Sequence, residues 1–292
     1  MILVTGATGS IGRYLVRDLQ QRRVPMRALV RSQQKGQELG CDFVVGDFDD
    51  PGSIAAAMRD SDRLFLNAGG AEPVDGEQPM VRQQKTVIDA AVDAGISQVV
   101  KISVWGARDG GRLATGAHWL IEQHLKASGL DWSILQPGGF MQNFLAGAGS
   151  FTSDGDLIDA YGAAPVSYID CYDIAACATA LLTGSGREGQ SFVLTGPEPL
   201  TCADIATKLS AALGHLIGHV ALPPEDLAAA LKARGLPPRF ADDVAGLGRE
   251  VADGSLATTT PAVRDLTGRP PRTFDQFAAA NRQALQRACT AG

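Results

Sequence analysis

The chain of 292 residues is poor in several features that would mark particular classes of protein. Its five cysteines, at 41, 171, 177, 202 and 289, are scattered and contain no Cys-x-x-Cys pair, which argues against a disulfide frame or a cysteine zinc site and for reduced thiols in a cytoplasm. No lysine or arginine cluster interrupts a net charge of −6, so neither a nucleic-acid surface nor an anionic membrane partner is expected. No apolar run approaches the roughly 18 residues of a membrane span. Residues Met1-Ile-Leu-Val4 lack the positive leader of a signal peptide and are expected to form a strand. Only four tyrosines are present, at 14, 161, 168 and 172, and that scarcity matters for the chemistry.

What is present is a strand–helix alternation. Strands are expected at 2–5, 26–30, 43–46, 63–67, 99–103 and 132–136. Helices are expected at 11–22, from Ser53 (a plausible cap) to 58, and at 79–94 and 117–128. This order predicts an α/β fold: a doubly wound parallel sheet with helices on both faces. Residues 138–165, rich in Gly, Ala and Ser, read as an irregular excursion over the open edge of the sheet. A strand at 166–169, a helix at 173–182 and a strand at 191–194 return to it. Beyond, helices are expected at 203–213, 224–234, 238–253 and 274–288. The expected division is a nucleotide-binding domain over 1–196 and a small, mainly helical cap over 197–292, built against the carboxyl ends of the strands.

The loop Gly6-Ala7-Thr8-Gly9-Ser10-Ile11-Gly12 lies between the first strand and first helix, the context that gives a glycine loop meaning. Gly6 serves the tight turn, Gly9 lets the backbone approach a pyrophosphate, and Gly12 allows close packing of the helix. The helix N-terminus supplies amide donors and the positive dipole end. The second strand ends Ala28-Leu29-Val30-Arg31-Ser32, with no acid to hold a ribose 2′-hydroxyl. Arg31 at that point suits a 2′-phosphate, so NADPH is the expected cofactor. Asp47 and Phe48 after the third strand, and Asn67, Ala68 and Gly69 after the fourth, are further candidates to line its path.

The segments Thr5-Gly-Ala-Thr-Gly-x-x-Gly12, Ser103, His118-x-x-x-Glu122, Ser128-Gly-Leu130, Pro137-Gly-x-Phe140-x-x-Asn143, Tyr168-Ile-Asp-x-x-Asp-Ile-Ala175 and Leu266–Phe274 together resemble the NmrA-like group of atypical short-chain dehydrogenases/reductases. The resemblance spans essentially the whole chain. It implies a Rossmann domain with a substrate cap and relatives that are NADPH-dependent quinone oxidoreductases, beside redox-sensing regulators without turnover. The sequence departs from ordinary short-chain reductases, whose Tyr-x-x-x-Lys pair supplies a proton to a carbonyl. No tyrosine lies between Ser103 and Glu122, and no lysine stands in the expected register after the fifth strand.

The remaining candidates for chemistry are Ser103, at the carboxyl edge of the fifth strand, and His118, whose ordinary pKa would make it an acid near neutrality. The alternative readings are a turn serine for Ser103 and a loop-orienting histidine for His118. Glu122 shares a helix face with His118 and is read as structural. Trp105, His118, Phe140 and Asn143 are the candidate substrate contacts, and Trp119 and Phe144 are further aromatics that serve either a pocket or a core. Gln136 removes a charge from the pocket floor. His215 and His219 have ligand spacing, but with no acid or cysteine visibly near them no metal site is expected.

The leading reading is an NADPH-dependent reductase of a quinone, conjugated enone or aromatic-type small molecule, with natural-product tailoring as one setting and a homodimer as one assembly. The alternatives are a non-catalytic NADP(H) sensor, or a non-redox cyclase or isomerase on the same fold.

Overall fold

The computed structural model describes residues 1–145 and 151–290. A seven-stranded sheet, all of it parallel, runs in the order β3 (Phe43–Val45), β2 (Met26–Val30), β1 (Ile2–Val4), β4 (Arg63–Leu66), β5 (Gln98–Ile102), β6 (Asp131–Pro137), β8 (Gln190–Leu194). β7 (Leu157–Asp159) belongs to a separate two-stranded sheet, described below. The order reverses beside β1, which places a crevice at the carboxyl ends of β1 and β4, where doubly wound sheets bind ligands. The fold class expected from the alternation of elements is the one observed.

Each face of the sheet is covered by helices because the strands are buried on both sides. On one face, helices α1 (Ser10–Gln21) and α6 (Cys171–Thr183) close a core that contains Val100, Ile102 and Ile174. On the other, α3 (Pro51–Ala57), α4 (Pro79–Asp93) and α5 (Leu113–Ala127) cover Leu64, Val99 and Ile134. β5 therefore alternates, with Val100 and Ile102 toward the first core and Val99 and Lys101 toward α5. Lys101 is fully buried there.

A third core holds Phe144, Phe151, Tyr168, Leu209, Phe274 and Phe277. It joins a 3-10 turn (Met141–Leu145) and β7 to α7 (Cys202–Leu213), β9 (His219–Ala221), α11 (Phe274–Ala280) and α12 (Arg282–Thr290). β7 pairs with β9. The stretch 138–165 is thus partly built into this core, and its residues 146–150 lie outside the described ones. The cores interleave along the chain, since Val263 of α10 (Ala262–Thr267) packs back into the first. α8 (Pro224–Ala233) and α9 (Pro238–Ala252) complete this side, and α9 reaches the loop after β5, where Glu250 accepts hydrogen bonds from Arg108 and Arg112 at 2.7 and 2.9 Å.

Several expectations are corrected. Residues 166–169 form no strand: Val166 bridges Leu200 and Ile169 bridges Phe140 as isolated pairs, while β8 takes the sheet edge. The cap of α3 is Asp50, whose carboxylate accepts from the amides of Gly52 and Ser53, so the helix starts at Pro51 rather than at Ser53. The expected helix 274–288 is broken at Asn281 into α11 and α12. Helices α2 (Gln33–Leu39) and α10 were not foreseen, both being short. No described helix is long and apolar enough to cross a membrane.

The C-terminal run 266–274 is tied to the start of α6. Arg269 pairs with buried Asp173 at 2.8 Å, Arg272 pairs with buried Asp170 at 3.2 Å, and the Arg272 guanidinium lies 3.5 Å from the Tyr172 ring centroid. These aspartates, part of the family-like motif, anchor the chain end.

Candidate active site

The glycine loop is shaped by the absence of side chains. Gly6 adopts φ +62°, and a Cβ there would lie 2.9 Å from the Asn67 carbonyl oxygen. A Cβ on Gly12 would lie 2.1 Å from the carbonyl oxygen of Gly6, so any larger residue drives α1 off the loop. Thr5 stitches the loop to β4: its hydroxyl donates to the carbonyl of Asn67 at 2.8 Å and accepts the Asn67 amide at 2.9 Å. Gly9 caps α1 without a side-chain acceptor, and the first turn carries no acid, so its amides and dipole face the crevice uncompensated by side chains. These features fit the pyrophosphate of a dinucleotide, with Thr8, Ser10 and Ile11 on the same turn.

Arg31 is exposed at the carboxyl end of β2, next to Ser32, which caps α2. Asp47 is exposed and receives the Asp49 amide, and Phe48 is half-buried against the second face's core. Asn67 and Ala68 are half-buried and Gly69 is exposed, all just beyond β4. The candidates for a cofactor path therefore lie together along the carboxyl edge of β1–β4.

Beyond β5 and β6 the structure revises the chemistry. Ser103 is 1% exposed, and its hydroxyl donates to Glu122 Oε1 at 2.5 Å, so it is committed to α5 rather than turned to the crevice. Glu122 is buried and also accepts from Gln136 at 2.8 Å and Lys126 at 3.2 Å. Gln136 thus satisfies a buried carboxylate rather than leaving a neutral floor. Glu122 does not hold the imidazole of His118.

Lys101 does. Its Nζ lies 2.9 Å from His118 Nδ1 and donates to the Ile102 carbonyl at 2.9 Å. Burial lowers the Lys101 pKa to about 7, against a raising influence from Glu122. Burial first, and the Lys101 charge second, hold the His118 pKa well below its ordinary value. A lysine ammonium only donates, so Nδ1 accepts and the proton of the neutral ring sits on Nε2. The expectation of an imidazolium acid near neutrality is corrected: His118, in the second turn of α5, is a neutral donor. A lysine was missed because it lies inside the strand rather than after it. The signal was one cation in the apolar run Val99-Val100-Lys101-Ile102.

Trp105 follows β5, its amide bonded to the Pro137 carbonyl at 2.9 Å and its ring 3.4 Å from where a Gly138 Cβ would stand. Phe140 is half-buried, and Asn143 is exposed in the 3-10 turn, its amide bonded to the Phe140 carbonyl. These three share the loops after β5 and β6. Phe144 belongs to the third core, edge-to-face with Tyr168 and Phe274. Trp119 instead lines a cavity of about 530 Å³ between the amino ends of α4 and α5 and helix α9, with Gln78, Arg112 and Arg239. None of the four tyrosines reaches the β5–α5 region. Tyr14 meets Tyr172 edge-to-face beside α6, and Tyr161 and Tyr168 sit in the third core with pKa values raised by burial. His215 is exposed, while His219 meets Asp159 and Cys202, an acid and a cysteine the sequence did not place beside it.

Comparison with known proteins agrees with this geometry. Residues 6–184 match the model of an NAD(P)H-binding family. The chain is 37% identical over 290 residues to the NAD(P)H azoreductase of Xenophilus azovorans, covering 98% of this chain and 99% of that protein. It is 29% identical over 280 residues to quinone oxidoreductase 2 of Escherichia coli, covering 94% and 96% of the two chains. The crystal structure of that oxidoreductase with NADPH superposes with a TM-score of 0.82 at 28% identity, covering 96% of this chain and 99% of that one. The chain belongs to the NAD(P)H-binding family.

Proposed function

We propose that this member of the NAD(P)H-binding family is an NADPH-dependent reductase of quinones and related conjugated acceptors, azo compounds and enones among them. The observation that carries the reading is the Lys101–His118 contact in a place where no tyrosine stands. Hydride transfer to a simple carbonyl needs a good acid to stabilise the localised oxyanion as it develops, which a neutral imidazole supplies poorly, whereas a quinone or conjugated acceptor spreads the new charge over its π-system and needs no such acid. The names of the relatives, an azoreductase and a quinone oxidoreductase, support the same acceptor class.

The bound cofactor supplies the hydride. The protein's part is to seat the pyrophosphate on Gly6–Gly12 and the amides of α1, with Arg31 selecting the 2′-phosphate of NADPH. Trp105, Phe140 and Asn143 line the acceptor's side. His118 gives its Nε2 proton to the reduced product as Lys101 gives one to Nδ1, which leaves the ring neutral as the other tautomer and the Lys101 amine neutral; one proton taken from solvent per turnover restores the starting state. Ser103, Glu122 and Gln136 hold the ends of β5, β6 and α5 in register for this. The free cysteines accord with a cytoplasmic setting.

The test is NADPH oxidation against a panel of a benzoquinone, a naphthoquinone, an azo dye and a conjugated enone. Turnover with at least one is expected. Tight NADPH binding with no oxidation by any of them would overturn the reading in favour of a binding protein.

A further inference from the structure

Away from the cofactor crevice, three donor side chains of different chemistry converge in the third core. Asp159 ends β7, His219 opens β9, and Cys202 is the first residue of α7. β7 and β9 pair in parallel with Leu157 opposite His219 and Asp159 opposite Ala221, so His219 and Asp159 lie diagonally on one face of the ribbon. The N-terminus of α7, fixed by the Thr201–Asp204 capping box, brings Cys202 onto that face. A carboxylate oxygen, the thiol sulfur and an imidazole nitrogen then all lie within 4.8 Å of one another.

The surroundings are those of a built site rather than a surface coincidence. The Asp159 side chain is 3% exposed and Cys202 is 4% exposed. Asp159 hydrogen-bonds His219 through one oxygen, and its other oxygen accepts the Tyr161 amide at 2.5 Å, which fixes the carboxylate plane. The thiol is in hydrogen-bond contact with both the Asp159 carboxylate and the Tyr168 hydroxyl. Among the described residues the ion-pair partner of this buried carboxylate is His219, with no lysine or arginine beside it. The His219 side chain is 19% exposed, so an ion has a path in from solvent.

We infer that Asp159, Cys202 and His219 form a binding site for a divalent transition metal of borderline softness, Zn²⁺ foremost, that staples β7, β9 and α7 together. The donor set is one sulfur, one nitrogen and one oxygen, the mixture Zn²⁺ accepts. Binding replaces the Asp159–His219 hydrogen bond with two metal bonds and releases the thiol proton of Cys202 to solvent. Thiolate and carboxylate then neutralise the ion, a balance that suits a buried site. Metal–ligand bonds of about 2.0–2.3 Å set donors about 3.5 Å apart, so the Asp159 oxygen and the His219 nitrogen, now in hydrogen-bond contact, part to admit the ion while the Cys202 sulfur turns onto it. A water entering past His219 completes a tetrahedron. No local pattern signals the site, because the three residues are separated by 43 and 17 positions and meet only through the β7–β9 pairing and the placement of the start of α7.

The test uses the full chain, stripped with chelator and titrated with Co²⁺. The expected result is one Co²⁺ per chain, with thiolate-to-cobalt charge-transfer absorption and the intense d–d bands of a tetrahedral site, displaced by Zn²⁺ and accompanied by a rise in Tm. Cys202→Ser is expected to abolish the charge-transfer band while leaving NADPH binding intact, and His219→Gln to weaken metal binding by at least about 10-fold. Cys41→Ser is expected to change neither. Absence of a charge-transfer band in the native chain, or a band that survives Cys202→Ser, overturns the site and leaves a hydrogen-bonded cluster. If Cys202→Ser fails to bind NADPH, and so to fold, His219→Gln decides: unchanged Co²⁺ affinity overturns the site.

Discussion

The carboxyl edge of the sheet is built in two different ways on either side of β4. From β1 to β4 the cradle is backbone: glycines that leave room, amides at the start of α1, and Thr5 fastening the turn to Asn67. From β5 to β6 it is a network of buried polar side chains, Lys101 with His118 and Glu122 with Ser103 and Gln136. Backbone cradles tolerate almost no added atom but are indifferent to pH. Side-chain networks tolerate conservative changes in shape but respond to every proton and every missing partner. On the proposed function the first half holds the cofactor and the second supplies protons, and the two halves should fail in different ways.

The largest effect is expected where the backbone cradle is filled. Gly12→Ala places a Cβ 2.1 Å from the Gly6 carbonyl oxygen and should weaken NADPH binding by more than 100-fold, about 3 kcal/mol. Fluorescence titration of NADPH checks it, and a circular dichroism spectrum confirms that the sheet survives. Close behind comes Glu122→Ala in the other half, which strands the donors of Ser103 and Gln136 in a buried site. Unfolding by urea should show a loss of about 3 kcal/mol, against about 1 kcal/mol for Ser103→Ala.

The proton-sensitive half should also betray itself through pH. The folded-state pKa of Lys101, about 7, lies below the ordinary 10.5. Between these values the unfolded chain binds one more proton than the native one, so stability rises with pH across that window and carries the full penalty below it. His118, also depressed, adds a loss of stability as pH falls below its ordinary value. Lys101→Met should therefore remove up to about 2.5 kcal/mol of the stability gained between pH 7 and pH 9 in urea melts. An unchanged pH slope would mean that Lys101 titrates as it does in water.

A smaller and selective effect belongs to Arg31. Arg31→Ala should weaken NADPH about 10-fold, roughly 1.4 kcal/mol, with NADH affinity unchanged. Equal losses for both would place Arg31 on adenine rather than on the 2′-phosphate. The smallest effect lies outside the comparison, at the half-exposed contacts of Arg108 and Arg112 with Glu250. Glu250→Gln should cost no more than about 0.5 kcal/mol.

The same contrast explains what could be read in the sequence. Glycine spacing and strand period are local signals, and the sheet and the shape of the glycine loop were legible from them; the missing acid after Val30 likewise singles out Arg31, whose proposed role awaits the NADPH and NADH titrations. The proton network depends on α5 folding over β5, which brings residues 101, 118, 122 and 136 together from three elements. Ser103 and His118 were found by position, but their chemistry was misjudged because neither the Glu122 contact nor the Lys101 contact is a local pattern. Residues 166–169, Val-Ser-Tyr-Ile, have the alternation of a short strand, yet they lie between Gly139 and Leu200 as bridges because β8 already occupies the sheet edge.

Steady-state NADPH oxidation with a naphthoquinone, run in parallel on the wild-type chain and on Lys101→Met, decides whether Lys101 and His118 serve hydride transfer. The expected result is turnover by the wild type with NADPH preferred over NADH, and a slowed, pH-shifted kcat in the variant with NADPH affinity retained. NADPH binding without oxidation, or turnover whose rate and pH profile ignore Lys101, would contradict it.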